Sequence, residues 1–186
     1  MTASVPVCCL FLVYRQDESY KQGVPVPMSF ATADLCDQYG EKVQLVLPLF
    51  TDFGGKHQFH GPVSTVRVFE DNALVRSALE EPGAGRVLVV DGGGSLRCAL
   101  VGDKLAQLGK DNGWAGIIVS GCIRDSAVIG AIGIGLRALA ANPRKSTKKG
   151  NGERDIPVTF AGVTFIPGAF VYADTDGILI SAQPLR

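Results

Sequence analysis

Two short apolar runs, each ending in a polar loop, restrict the fold more than any other feature of this sequence. Arg86–Val90 runs into the loop Asp91–Gly94, and Gly116–Ser120 runs into the turn Gly121–Asp125. Between them, Lys104–Asn112 has the pattern of a helix that ends at a glycine. Strand, helix and strand in this order predict a parallel β-α-β unit, which places both loops at the carboxyl edge of one sheet.

Short elements are predicted on either side of this unit. Thr32 is the expected cap of one helix, and Asn72–Glu80 forms another, capped by Asp71 or Asn72. A short helix is predicted at Ser126–Ala131, and strands at Val63–Phe69, Val158–Phe160, Val163–Ile166, Phe170–Ala173 and Ile178–Ser181. Asp-Gly between apolar runs is typical of a hairpin, so the last two strands should pair through Asp174–Gly177. The expected fold class is α/β, with antiparallel hairpins at its C-terminal end.

Length and charge restrict the class of protein. A chain of 186 residues suffices for one domain with a sizeable core. Because Lys plus Arg and Asp plus Glu both number 18, no net field favours nucleic acid, and no nucleic-acid partner is expected. The basic run Arg144–Lys149 is interpreted as a solvated part of a mobile loop over Asn142–Arg154.

The first residues differ in character from the rest of the chain. Val5–Tyr14 is an apolar run of ten residues, too short to span a bilayer and without the basic start of a signal peptide. Gln16–Pro27 is polar and ends in Val-Pro-Val-Pro, which is typical of an extended linker. We therefore expect a poorly structured N-terminal extension over residues 1–27, a domain over residues 28–186, and no membrane partner.

The cysteine and histidine residues are not expected to bind a metal or to act as nucleophiles. The five cysteines are odd in number and lack C-x-x-C spacing, which favours structural thiols in a reducing compartment such as the cytoplasm. His57 and His60 lie in a turn-rich segment and are more typical of surface residues than of zinc ligands.

Polar groups at the helix start and after the second strand are the strongest candidates for a site. The free backbone N–H groups that follow Gly102 suit a carboxylate, although Asp103 could simply stabilise its own helix. Arg124 and Asp125 are adjacent on a turn, and we expect them to point in different directions so that each serves a ligand. The alternative is a surface salt bridge worth at most ~1 kcal/mol. Oxygen donors would favour Mg²⁺ or Mn²⁺ over Zn²⁺.

The glycines of Asp91–Gly94 do not form a phosphate-binding motif. Neither G-x-x-x-x-G-K-[ST] nor G-x-G-x-x-G occurs in register before a helix. These glycines are interpreted as positions where the backbone passes close to a neighbour or a ligand.

Several of these segments together resemble one known family. The segments are Asp91–Arg97, Gly102-Asp103 with Leu105-Ala106, Asn112–Gly116, Gly121–Asp125 and Gly162–Phe165. In order and spacing they are similar to the RraA-like family, which includes 4-hydroxy-4-methyl-2-oxoglutarate aldolases and the RraA regulators of ribonuclease E. The resemblance covers residues 30–181. It implies a compact β/β/α swivelling-type domain that forms a homotrimer, with sites between subunits.

The resemblance also implies roles for individual residues. Asp125 would bind the divalent metal, Mg²⁺ or Mn²⁺, and Arg124 would contact the substrate carboxylate and the enolate oxygen. Gly102, Asp103, Lys104 and Leu105 would hold the pyruvyl end of a keto-acid. Asp103 would in addition orient a metal-held water that accepts the proton of the substrate hydroxyl. Lys104 is expected on the helix surface, because this chemistry needs no Schiff base.

The implied activity is that of a class II aldolase. It would cleave 4-hydroxy-4-methyl-2-oxoglutarate to pyruvate and decarboxylate oxaloacetate, because both reactions pass through a pyruvate enolate. The alternative is a non-catalytic trimer that binds and inhibits a ribonuclease of the E type or an associated helicase. Regulators of this kind lack the metal-binding Asp, so the presence of Arg124, Asp125 and Asp103 favours the enzyme. A methyltransferase, an old label for the family, would need a glycine loop that is missing here.

One feature of the aldolases has no obvious counterpart in this chain. Long-form members carry a C-terminal acidic residue that reaches the neighbouring site, whereas this sequence ends at Arg186. Glu153, Asp174 and Asp176 are the candidates to replace it, although acids in hairpin turns usually only form the turn.

Overall fold

The computed structural model describes residues 30–185, which form a mixed α/β fold; the expected extension over residues 1–27 lies outside them. Helices α1 to α4 span Thr32–Tyr39, Ala73–Glu80, Asp103–Asp111 and Ser126–Ile129. Strands β1 to β6 span Val43–Leu45, Thr51–Asp52, Phe59–Arg67, Val87–Asp91, Ala99–Val101 and Gly116–Ile123. Strands β7 to β12 span Gly135–Ala141, Glu153–Arg154, Val158–Phe160, Val163–Phe165, Phe170–Ala173 and Ile178–Ser181. No helix in this part of the chain is long and apolar enough to cross a membrane.

One mixed sheet contains ten of the described strands, in the order β1-β12-β11-β3-β4-β6-β7-β2, with β5 beside β6 and β8 beside β3. The central strands β3, β4, β6 and β7 are parallel. Strands β11, β12 and β1 continue the sheet in antiparallel fashion, and β9 and β10 form a separate hairpin. The predicted α/β class, with its β-α-β middle and antiparallel C-terminal strands, is confirmed.

Strand β4 shows why its sequence is apolar at consecutive positions. Val87, Leu88, Val89 and Val90 are all fully buried. Side chains alternate along a strand, so Leu88 and Val90 pack with helices α2 and α3, whereas Val87 and Val89 pack with the β9–β10 hairpin and strands β11 and β12. A strand covered on both faces must be apolar throughout, which explains why the run could be recognised from the sequence.

Strand β6 is longer than predicted. Gly121, Cys122 and Ile123 continue the strand, so only Arg124 and Asp125 remain of the predicted turn. The neighbouring strands stabilise this extension: Cys122 and Ile123 pair with β5 on one side and with β7 on the other. Strand β5 has no clear sequence signal, and without this pairing partner the predicted end of β6 falls too early.

One helix cap differs from expectation, and for a second helix the structure decides between the two predicted residues. Thr32 lies inside α1 and donates both its N–H and its hydroxyl to the carboxylate of Asp174, each at 2.6 Å. The cap of α1 therefore comes from the β11–β12 turn rather than from Thr32. At the start of α2, Asp71 and not Asn72 supplies the side-chain acceptor, since Asp71 Oδ1 receives the N–H of Ala73 at 2.9 Å.

The polar segment 142–154 was predicted to be a mobile loop, but buried Asp71 anchors it. Asp71 Oδ2 accepts the N–H groups of Lys149 and of Gly150, the latter at 3.1 Å, and the hydroxyl of Thr147 at 3.3 Å. Burial alone would raise the pKa of Asp71, but the hydrogen bonds outweigh burial and hold this pKa below its usual value. The segment then pairs with β3 through β8.

Candidate active site

The end of β5, the turn after β6 and the first turn of α3 enclose a cavity of about 260 Å³. Its lining residues are Asn72, Arg76, Ala99, Gly102, Asp103, Lys104, Leu105, Arg124, Lys145, Ser146 and Lys148. The five residues expected to bind substrate are therefore brought together around one cavity. Asp125 does not line it, but lies directly beside it.

The first turn of α3 presents unused backbone donors. The carbonyl of Gly102 accepts the N–H groups of Leu105 and Ala106 at 3.1 and 3.0 Å. Within residues 30–185, the N–H groups of Asp103 and Lys104 have no acceptor, and no side chain caps the helix. Since the positive end of the helix dipole lies at the same place, this turn suits a carboxylate group.

Arg124 and Asp125 contact each other, contrary to the expectation that they point apart. Arg124 Nε lies 3.3 Å from Asp125 Oδ2, and the two side chains are 30% and 37% exposed. The reason is the left-handed backbone of Asp125, at φ 59° and ψ 35°, which turns its carboxylate back toward Arg124. Neither terminal nitrogen of the guanidinium has a partner in the described part of the chain, so Arg124 retains donors for a ligand.

Gly102 allows the helix start to approach this pair closely. A Cβ atom at Gly102 would lie 3.0 Å from Asp125 Oδ2 and 3.1 Å from Arg124 Nε. The φ of Gly102 is −126°, which any residue adopts, so a larger residue here would meet a tight contact with the two side chains rather than backbone strain. The helix start and the turn are therefore parts of one compact arrangement.

The glycine loop Asp91–Gly94 packs over β6 and does not line the cavity. The N–H groups of Gly92 and Gly94 both donate to the carbonyl of Ser120 at 3.1 Å. A Cβ atom at Gly92 would lie 2.7 Å from that same carbonyl oxygen. These contacts agree with the interpretation that the glycines permit a close backbone approach.

A divalent metal at this site would depend on few protein ligands. No three His, Cys, Asp or Glu side chains among residues 30–185 lie close enough together to hold a metal. Asp125 and Asp103 are the carboxylates at the cavity. Mg²⁺ keeps several waters and uses one or two carboxylates together with substrate oxygens, so this donor set fits Mg²⁺ or Mn²⁺ and does not fit a structural Zn²⁺.

The cavity also contains residues that the sequence analysis did not assign to a site. Arg76 comes from α2, and Lys145, Ser146 and Lys148 come from the anchored segment 142–154. The prediction that the basic run is only a solvated loop is wrong, because two of its lysines line the cavity. The only sequence signal was the charge run itself, because the anchoring residue Asp71 is remote in the chain. By contrast, none of the acids considered as substitutes for a C-terminal residue, Glu153, Asp174 and Asp176, lines this cavity.

A second polar cluster, centred on the buried Arg137, lies away from the cavity. Arg137 Nη1 is 3.1 Å from Asp52 Oδ2, and Nη2 donates to the carbonyls of His57 and Asp174 at 3.1 and 2.5 Å. Burial lowers the pKa of Arg137, and Asp52 and Asp174 oppose that shift. His57 Nδ1 also lies 2.7 Å from Asp52 Oδ2.

His60 and the described cysteines have structural surroundings. His60 stacks on Tyr172 and is partly buried, which lowers the pKa of its imidazole, so the prediction of a surface residue holds only in part. Cys98 and Cys122 are buried free thiols whose pKa values are raised by burial, which makes them poor nucleophiles.

Comparison with known proteins decides the family. The model of the RraA-like family, described as aldolase/RraA, matches residues 32–180. The chain belongs to the RraA-like family. A relative from Alkalilimnicola ehrlichii, provisionally named 4-hydroxy-4-methyl-2-oxoglutarate aldolase, is 58% identical over 158 residues, which are 85% of this chain and 98% of the relative.

Two solved structures share the fold but have different names. The RNA-processing inhibitor RraA from Thermus thermophilis is 51% identical, with a TM-score of 0.82 over 86% of this chain and 96% of that one. A Geobacillus kaustophilus protein described as an S-adenosylmethionine:2-dimethylmenaquinone methyltransferase is 53% identical, with a TM-score of 0.82 over 84% of this chain and 97% of that one. Proteins with different named functions share this fold, so the fold alone does not identify the activity, and the residues of the site have to.

Proposed function

We propose that this RraA-like protein is a divalent-metal-dependent aldolase that cleaves 4-hydroxy-4-methyl-2-oxoglutarate into two molecules of pyruvate. The same site would decarboxylate oxaloacetate, because that reaction forms the same enolate. The observation that carries the proposal is the meeting of Arg124, Asp125 and the unpaired amides of α3 at one cavity. The name of the Alkalilimnicola relative agrees with it.

The pyruvyl end of the substrate would bind at the start of α3. Its carboxylate would accept hydrogen bonds from the N–H groups of Asp103 and Lys104, which have no other acceptor within residues 30–185. The unpaired terminal nitrogens of Arg124 would donate to the keto oxygen, where negative charge develops. A bound Mg²⁺ or Mn²⁺, held by Asp125, would supply Lewis acidity at the same oxygen.

Cleavage then needs one proton acceptor and one proton donor. The C4 hydroxyl loses its proton, the C3–C4 bond breaks, and the electron pair forms the enolate of one pyruvate while the other pyruvate leaves. Asp103 is the only carboxylate that lines the described cavity, so we propose that it accepts the hydroxyl proton, either directly or through a water that it orients. Protonation of the enolate at C3 gives the second pyruvate.

The assembly and location of the protein are part of the proposal. Family resemblance supports a homotrimer with sites between subunits and a cytoplasmic protein. Part of the Arg124 and Asp125 surface is open within one subunit, which leaves room for a neighbouring chain at the site. Light scattering of the purified protein would measure the mass, and a monomeric mass would contradict the trimer.

The activity is tested by pyruvate release, measured with lactate dehydrogenase and NADH. We expect activity with Mg²⁺ or Mn²⁺ that disappears after chelation and returns when the metal is added back. Asp125→Asn should abolish the metal-dependent rate, whereas Asp37→Asn, at an exposed position on α1, should not change it. Absence of metal-dependent release from both substrates, or full activity of Asp125→Asn, would refute the proposal.

A second candidate function is inhibition of RNA processing, and the likeness to the Thermus protein favours it. In that case the protein would bind a ribonuclease of the E type or an associated helicase through a surface that does not need the metal. Asp125→Asn should then retain partner binding in a pull-down with the purified partner. Failure of the unmodified protein to bind either partner would exclude this candidate.

A further inference from the structure

We propose that Arg76, Lys145 and Lys148 form a carboxylate subsite that makes the enzyme select keto-acids with a second, distal carboxylate. This inference rests on the proposed function, because it assigns the part of the cavity that the pyruvyl end leaves free. The distal carboxylate is the group that distinguishes a dicarboxylic substrate from a simple 2-keto-acid.

The charge of the cavity exceeds what a pyruvyl group requires. Among the residues that line it, five are cationic and one, Asp103, is acidic. The pyruvyl end uses backbone N–H groups and Arg124, so Arg76, Lys145 and Lys148 are not needed for it. Crowded like charges repel one another, and a ligand with two negative charges relieves that repulsion better than a ligand with one.

These three cationic side chains have few ion-pair contacts with the rest of the described protein. Within residues 30–185 the guanidinium of Arg76 has one polar contact, to Glu80 at 3.4 Å, in an exposed pair one helical turn apart. Neither Lys145 nor Lys148 has a carboxylate within ion-pair distance in the part of the chain that the structure describes. Their ammonium groups are therefore available to a ligand.

The backbone that carries the lysines is held at several points. On one side Asp71 binds the N–H groups of Lys149 and Gly150, and on the other the N–H of Ala99 donates to the carbonyl of Arg144 at 2.8 Å. A subsite on such an anchored segment loses less conformational entropy on binding than one on a free loop.

Ser146, between the two lysines, gives an independent sign of a ligand. Its Oγ atom is buried and has no hydrogen-bond partner within residues 30–185, although Ser146 lines the cavity. A buried hydroxyl without a partner costs free energy, and rotation of the Ser146 side chain toward the cavity would let a bound carboxylate oxygen accept its hydrogen bond. The cavity volume of about 260 Å³ suits a small acid rather than a larger ligand.

A matched pair of inert ligands tests the subsite without requiring catalysis. 2-Oxoglutarate and 2-oxovalerate have the same carbon chain, but only 2-oxoglutarate has a distal carboxylate. Calorimetric titration with Mg²⁺ present should show at least about tenfold tighter binding of 2-oxoglutarate, the effect of one charge-assisted contact. In the double variant Lys145→Gln/Lys148→Gln this preference should disappear through weaker binding of 2-oxoglutarate.

Lys149→Gln is the control, because Lys149 has the same charge in the same segment but does not line the cavity. Its backbone bond to Asp71 is unaffected by the change, and it should keep the preference. Equal affinity of the unmodified protein for both acids, no detectable binding of 2-oxoglutarate, or a preference that survives in the double variant would each overturn the subsite. Failure of the aldolase proposal would appear separately, as a lack of pyruvate release in the assay above.

Discussion

Arg124 and Arg137 each contact an aspartate, but the fold uses the two guanidinium groups in opposite ways. The side chain of Arg137 is 7% exposed, and its terminal nitrogens bind Asp52 and two backbone carbonyls. The side chain of Arg124 is 30% exposed, and its one polar contact among residues 30–185 is with Asp125, through Nε. The terminal nitrogens of Arg137 bind the structure and its unpaired Nε is buried away from the cavity, whereas Arg124 keeps terminal donors beside the cavity.

The aspartates Asp174 and Asp125 differ in the same manner. Asp174 is 8% exposed, and its two oxygens accept bonds from Thr32, Asp176 and Gly177. The side chain of Asp125 is 37% exposed, and its carboxylate has Arg124 as its one described partner. Charge alone therefore does not make a side chain a candidate for ligand binding. The candidates are the ionised side chains whose donors or acceptors are not already used by other residues of the protein.

Arg137→Ala should give the largest effect, and the effect should be on stability. Removing the buried guanidinium takes a hydrogen-bond donor from the carbonyls of His57 and Asp174 and a cation from Asp52, so we expect the free energy of unfolding to fall by about 4 kcal/mol. Urea denaturation measures the change. The control Arg144→Ala, at an exposed position, should change stability by less than about 0.5 kcal/mol. A loss below about 1 kcal/mol for Arg137→Ala would mean that Arg137 is not the structural residue described here.

Arg124→Ala should have the opposite signature. We expect kcat for pyruvate release to fall by about 10²- to 10³-fold, the usual effect of one lost donor to an oxyanion. The free energy of unfolding should change by less than about 1 kcal/mol, because the pair is exposed. Coupled assays and urea denaturation on the same preparation separate the two quantities. If stability drops as for Arg137→Ala while kcat is kept, the contrast between the two arginines fails.

The features that could be predicted from the sequence are those whose cause is local. The run Arg86–Val90 identifies a strand because both of its faces are buried, and the residues that follow Gly102 identify a helix start because backbone donors are always free there. Because these signals are local, the sequence also predicts correctly that the segments of the site belong to one β-α-β unit.

The features that could not be predicted depend on distant partners. Thr32 is bound by a carboxylate 142 residues away, so no local pattern shows that it does not cap its own helix. Strand β5 has three residues and exists because it pairs with β6. Lys145 and Lys148 reach the cavity because Asp71 anchors their segment, and a charge run alone does not reveal an anchor.

Asp174→Asn should give the smallest of these effects and the clearest dependence on pH. Burial alone would raise the pKa of Asp174, but the hydrogen bonds from Thr32, Asp176 and Gly177 prevail and lower it. A group whose pKa is lower in the folded state stabilises the fold above its usual pKa and loses that contribution as pH falls. At pH 7 the variant should therefore be less stable by about 1–2 kcal/mol, in the range of lost helix caps.

The difference between the unmodified protein and Asp174→Asn should shrink as pH falls below about 4, where the carboxyl becomes protonated. Urea denaturation at pH 7 and at about pH 3 measures it, and Asp37→Asn serves as the exposed control with no difference at either pH. A difference that stays constant with pH would show that Asp174 acts through packing and not through its charge. In that case the hydrogen bonds to the charged carboxylate of Asp174 would not contribute to stability. The buried Asp174 and the exposed Asp125 would then differ only in solvent accessibility, and not in how the fold uses their charge.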